Sequence, residues 1–128
     1  MQSLVIEDCT GEFATPYVNF DLNLMVFEIG GESFMEDTDE YYSPILNWLE
    51  EFAETYSEPL VFNFKFLYYN SSTSKSILKM FKILKNYSLK APLQIYWYYP
   101  EDNEDLMQEG KDFQDIVQLD VHFETLVY

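Results

Sequence analysis

The chain has no arginine. All seven of its basic residues are lysines, set against 23 acidic residues, for a formal net charge of −16. That balance repels nucleic acid and anionic membrane surfaces, and neither is an expected partner. Without arginine the chain also has no planar fork for gripping a phosphate bidentately. Cysteine is nearly absent. Cys9 alone cannot close an internal disulfide, which fits a reducing compartment, and with no basic or histidine neighbour it reads as an inert thiol. No apolar run is long enough to span a bilayer, and the acidic N-terminus lacks the basic start of a signal peptide, so a cytoplasmic location is expected. Glycine is scarce as well. Ser74-Lys75-Ser76 echoes the end of a P-loop, but no glycine occurs from position 60 to 109, and a P-loop needs glycine to wrap phosphates. That reading is excluded.

What is present is apolar and aromatic. Hydrophobic residues make up 48% of 128 positions and aromatics 19%, enough to build a packed core in one domain spanning 1–128. The organising stretch is 60–89. Its first part, Leu-Val-Phe-Asn-Phe-Lys-Phe-Leu-Tyr-Tyr at 60–69, alternates with period two. Phe62, Phe64, Phe66 and Tyr68 fall on one expected face. After 75 the spacing changes to three and four, with Ile77, Met80, Phe81, Leu84 and Tyr87 on a helix stripe. Between them lies a polar corner, Asn70-Ser71-Ser72-Thr73-Ser74-Lys75. Such a corner supplies caps for a helix start, whose free N–H groups and positive dipole end also suit a phosphate. Six of the seven lysines lie between 65 and 90. Most read as a solvated helix face, but Lys75 lies one turn from the hydroxyl cluster.

In order, Leu4-Val5-Ile6 can begin a strand. Residues 15–20 read as a short edge strand because of Pro16, and 24–29 as its hairpin partner. Gly30-Gly31 should end that strand, with Glu32-Ser33 opening a polar loop. A helix is expected over 37–58, on the stripe Tyr42, Ile45, Leu46, Leu49, Phe52, Ala53 and Tyr56. Pro44 divides the options: Ser43 caps the helix with Pro44 at its first position, or a short initial turn from Asp37 joins it through a bend. A strand at 93–99 and an acidic loop at 101–105 follow. The loop lacks the glycine of a calcium loop, and no metal or cofactor is expected. A helix at 106–116, weakened by Gly110, leads to a last strand at 117–127. Its polar face carries His122, which reads as solvated rather than catalytic. Strand 60–69, its helix and strand 93–99 should form a right-handed βαβ unit with parallel strands. The fold class is therefore α/β: a single-domain, two-layer sandwich with an N-terminal β-hairpin, a mixed sheet and about three helices.

With these residues in place the chain resembles the SiaC-like family of bacterial regulatory phosphoproteins. The resemblance runs over about 14–125. It rests on Thr15-Pro16, Gly31-Glu32-Ser33, Pro44-Ile45-Leu46-Asn47-Trp48-Leu49, the run from Leu67 through Lys75, Trp97-Tyr98-Tyr99 with acidic residues after it, and Glu109-Gly110-Lys111-Asp112-Phe113. It implies a partner-switching phosphoprotein with STAS-like architecture, similar in logic to anti-sigma-factor antagonists, and not an enzyme. A SiaB-like serine/threonine kinase would phosphorylate the hydroxyl after the corner asparagine, a PP2C-type phosphatase would remove the phosphate, and the unmodified form would bind an effector such as a diguanylate cyclase. The family pattern Asn-Thr-Ser-Ser places the acceptor on Ser71, where this chain has Ser for Thr. Ser72, Thr73 and Ser74 are alternative acceptors. Tyr69, Asn70, Ser74, Lys75, Glu32 and Ser33 are the expected surroundings and partner contacts. The competing classes are a constitutive adaptor, presenting the tyrosine doublets 41–42, 68–69 and 98–99, and an enzyme built on a chance pair of carboxylates.

Overall fold

The computed structural model describes residues 1–126. Six strands form one sheet in the order β1-β2-β3-β4-β5-β6. They are β1 (Leu4–Ile6), β2 (Tyr17–Asp21), β3 (Val26–Ser33), β4 (Leu60–Tyr69), β5 (Leu93–Pro100) and β6 (Val121–Leu126). Three helices connect the last four strands: α1 (Thr38–Thr55), α2 (Ser71–Ser88) and α3 (Glu104–Val117). β1, β2 and β3 pair antiparallel, whereas β3–β4, β4–β5 and β5–β6 are parallel. The sheet is mixed and the expected βαβ unit is present. Each crossover advances one strand in the same direction, so right-handed connections put all three helices on one face. Leu60, Phe62, Phe64 and Phe66 point to that face and are buried, while Val61, Asn63, Lys65 and Leu67 are half-buried on the open one. Each buried Phe contributes roughly 1.5–3 kcal/mol of transfer free energy. Stacked or tilted ring contacts run from Phe62 through Phe64 and Phe81 to Phe113.

The structure corrects several expectations. Leu4–Ile6 forms a full strand and takes the sheet edge, so the strand near Pro16 lies second from the edge. Pro16 avoids the ladder by preceding the first residue of β2. β3 does not stop at Gly30-Gly31; it continues to Ser33, because pairing with β4 satisfies its backbone. Gly30 allows this, since a Cβ there would lie 2.6 Å from the Lys65 carbonyl oxygen. Gly31 pairs with Phe66 and Glu32 with Tyr68, leaving Leu67 as an extra residue in β4. That bulge reverses the alternation. Tyr68 leaves the phenylalanine face and is 56% exposed, while Tyr69 packs edge-on against Phe66.

Of the two expected starts of α1, the one from Asp37 is found, as part of one continuous helix, and Ser43 is not the cap. Asp37 caps it, accepting from the Glu40 amide at 3.0 Å, and Pro44 lies inside the helix. Pro44 cannot bond the Glu40 carbonyl, but both residues are exposed, so that carbonyl faces solvent while Tyr42, Ile45, Leu49 and Phe52 bury the opposite stripe. The helix ends at Thr55, short of the expected 58. α3 begins two residues earlier than expected, capped by Asn103, and takes in Val117, the expected start of the last strand. Gln118 in the left-handed conformation ends it, and β6 starts only at Val121. The expectation for Val127 lies outside the described residues. Gly110 is a packing requirement, since a Cβ there would meet the Trp97 ring at 2.5 Å. In the doublets at 41–42 and 68–69 one ring is more buried than the other, whereas Tyr98 and Tyr99 are both half-buried.

Candidate functional site at the β4–α2 junction

The polar run 70–75 is a helix cap and a first turn rather than a corner loop. Asn70 keeps an extended backbone and caps α2, and Ser71 is the first helical residue. The Asn70 Oδ1 accepts from the Thr73 amide at 3.1 Å, the Thr73 hydroxyl at 2.7 Å and the Ser72 hydroxyl at 3.1 Å. Its Nδ2 donates to the Met35 carbonyl at 3.2 Å, and its backbone N–H donates to the Ser33 carbonyl at 3.1 Å. One asparagine thus ties the start of α2 to the end of β3 and the segment after it.

The helix turn sorts the hydroxyls into two sets. Ser71 and Thr73 are two residues apart, about 200° around the axis. Thr73 is fully buried, and its Oγ1 lies 2.9 Å from the Ser33 Oγ. Ser33 is also fully buried and lies 2.8 Å from the Tyr42 hydroxyl. This chain of hydroxyls links α2, β3 and α1 through the core. Burial holds the Tyr42 hydroxyl protonated well above its usual range, although its bond with Ser33 pulls the other way. Ser71 is exposed, and its hydroxyl makes no hydrogen bond among the described residues. Only its carbonyl is engaged, accepting from the Ser74 hydroxyl at 2.6 Å. Ser72 is half-buried, and its hydroxyl is turned toward Asn70. Lys75 is exposed four residues after Ser71, on the same side of the helix.

The other expected neighbours divide. Ser33 joins the buried network, but Glu32 is exposed opposite Tyr68, with no side-chain hydrogen bond to Ser71 among the described residues. Tyr69 packs beneath the junction. Its hydroxyl is buried and makes no well-aligned hydrogen bond among the described residues, and burial followed by the nearby Glu109 carboxylate keeps it protonated far above its usual range. Burial likewise raises the Glu109 carboxyl, offset in part by Tyr69 and reinforced by Asp112 and Asp105. Sequence reasoning missed Met35 and Tyr42. Tyr42 read only as a helix-stripe residue, and its hydroxyl contact appears only once β3 is extended to Ser33. Elsewhere, His122 is exposed and stacks on Tyr96 with centroids 4.8 Å apart. Among the described residues no group of three His, Cys, Asp or Glu side chains is placed to hold a metal.

Fold and junction together define a two-layer α/β module with a hydroxyl-rich helix start at the end of β4, one of the two middle strands of its sheet. The chain belongs to the SiaC family of regulatory phosphoproteins, whose family model matches residues 9–127. An uncharacterized protein of Pseudomonas aeruginosa (strain UCBPP-PA14) is 24% identical over 106 residues, covering 82% of this chain and 84% of that protein. Among solved structures, apo-SiaC from Pseudomonas aeruginosa is similar with a TM-score of 0.79 at 22% identity, over 99% of this chain and 100% of that one. SiaC in complex with the diguanylate cyclase SiaD, which it activates, is similar with a TM-score of 0.81 at 20% identity, over 94% of this chain and 100% of that one. At these identities the likeness to the solved structures is one of fold.

Proposed function

We propose that this protein is a non-enzymatic phospho-switch whose acceptor is Ser71. A SiaB-like serine/threonine kinase adds the phosphate, and a PP2C-type phosphatase removes it. The unmodified form binds an effector, a diguanylate cyclase by analogy with the SiaD-bound relative. The observation that carries the reading is the sorting of hydroxyls. Ser71 offers an exposed, uncommitted hydroxyl, while Thr73 two residues on is buried and bonded on two sides.

The chemistry at Ser71 is favourable to a phosphate. It would add about −1.5 to −2 charges at neutral pH beside the first free N–H groups of α2. Lys75, one turn along, would offset part of that charge. With no arginine in the chain, firm recognition of the phosphate falls to a fork on the partner. The switch therefore acts at the surface the partner reads and leaves the core alone.

The test is site-resolved phosphorylation by the candidate kinase, on wild type and Ser71→Ala, followed by effector pull-down. Wild type should gain one phosphate on Ser71 and then release the effector, and Ser71→Ala should gain none. Phosphate persisting in the mutant moves the acceptor along the cluster, to Ser72 or Ser74, its two half-buried serines. No phosphate on either protein, with effector binding intact, makes the constitutive adaptor the correct class.

A further inference from the structure

A second surface lies beside the junction, on the segment that Asn70 holds through Met35. The N-terminal loop is closed by a pair of bonds between Cys9 and Thr15, and the Ala14 carbonyl accepts from the Phe34 amide at 2.8 Å. This brings Phe13 alongside the chain leaving β3. Phe13 is 53% exposed and Phe34 41% exposed, and Phe34 packs against exposed Tyr68 with centroids 5.5 Å apart. Next to these rings is an open groove of about 560 Å³, lined by Phe13, Met35, Glu36, Asp37, Glu40 and Tyr41. Phe13, Met35 and Tyr41 form its apolar side, and the exposed acids Glu36, Asp37 and Glu40 form an acidic rim facing them. The chain has no basic residue before Lys65, so no lysine from the segments that build the groove neutralises that rim.

We infer that this groove is a docking site for a partner segment carrying a bulky apolar side chain flanked by lysine or arginine. Exposed aromatics clustered around a concave surface mark an interaction site, whereas single exposed rings are ordinary. The exposed rings and the apolar side of the groove can bury an apolar anchor of the partner, and the acidic rim supplies orientation and attraction for cations. A second copy of this chain is a poor occupant, because a two-fold contact would set each acidic rim against its like in a protein of charge −16. The site goes beyond the phosphorylation reading and does not depend on it.

The probes are two short synthetic peptides with a Leu-Trp-Leu centre, one flanked by lysines and one by glutamates, titrated into isotope-labelled protein and followed by NMR. The lysine-flanked peptide should shift resonances at Phe13 and across 34–41, and the glutamate-flanked one should not bind. Phe13→Ala combined with Phe34→Ala should weaken binding about tenfold or more. Glu36→Gln with Glu40→Gln should weaken it several-fold and flatten its salt dependence; Asp37 is left intact because it caps α1. Shifts scattered over the outer faces of α1 and α3 with no loss in the phenylalanine variants would overturn the inference. So would equal binding of the glutamate-flanked peptide, or a concentration-dependent dimer in sedimentation that dissociates on Phe34→Ala. No kinase is used, so failure of phosphorylation at Ser71 leaves the result untouched.

Discussion

The three helices of this domain begin differently. α1 is capped by Asp37 and carries Asp39 and Glu40 in its first turn. α3 is capped by Asn103 and carries Glu104 and Asp105. α2 is capped by Asn70 and carries no acid there, only Ser71, Ser72, Thr73 and Ser74 before Lys75. In a chain with 23 acidic residues, the omission falls at the helix start that follows β4, one of the two middle strands of the sheet. Acids at the other two starts meet the positive dipole end permanently. At α2 that complement is missing, and a phosphate would supply it conditionally. The inner side of the same turn is fixed by a buried hydroxyl network, so charge can change outside without disturbing packing inside.

The largest effect should come from comparing caps. Asn103→Ala removes one accepted amide bond and should cost about 1 kcal/mol. Asn70→Ala removes the cap, strips Thr73 of its shortest hydrogen bond and frees the Met35 carbonyl. Its cost should be about 2–3 kcal/mol, the cap loss plus the loss of one of the two hydrogen bonds of a buried hydroxyl. Urea denaturation of the two variants checks this. Equal costs would mean that the α2 start is no more tightly tied than its counterpart at α3.

Much of this comparison was legible in the sequence, but not the part that decides it. Period two followed by steps of three and four located β4 and α2, and the run 70–75 marked their junction. The sorting of its hydroxyls depends on helix phase, and phase depends on where the helix starts. Placing the start at Ser71 rather than near Ile77 turns a loose cluster into an inner and an outer set. The fate of Ser33 was hidden for a related reason. Gly30-Gly31 has the composition of a strand end, yet close pairing to Lys65 and the bulge at Leu67 carry β3 onward. The groove was not legible, because Phe13, Met35 and Tyr41 belong to three segments that only the tertiary fold brings together.

The inner network also has a pH signature. An unfolded tyrosine ionises near pH 10. Tyr42 is fully buried and keeps its proton far above that, and burial raises Tyr41 to about 12. Above pH 10 the unfolded chain therefore holds fewer protons than the folded one. The stability these residues contribute is whole below pH 10 and is lost as pH rises through the folded values. The slope should approach about 1.4 kcal/mol per pH unit for Tyr42, with a smaller share from half-exposed Tyr41. Thermal midpoints from pH 8 to 11 should fall more steeply in wild type than in Tyr42→Phe. Parallel curves would show that Tyr42 is not the group responsible.

The smallest effect on stability belongs to the outer set, and it separates a switch from a structural residue. Ser71→Asp puts a carboxylate at the first helical position of α2, where α1 and α3 already carry acids nearby. A charge there interacts favourably with the dipole by about 0.3–1 kcal/mol, partly screened by salt. No buried partner of the Ser71 hydroxyl is lost, since none exists among the described residues. The thermal midpoint should therefore hold or rise by a degree or two, while effector binding weakens in a pull-down. A sharp fall in midpoint would mean that Ser71 supports the fold, and the contrast between the inner and outer hydroxyls would collapse. An unchanged midpoint with unchanged effector binding would keep the contrast but separate it from signalling, because the outer hydroxyl would then be free without being read.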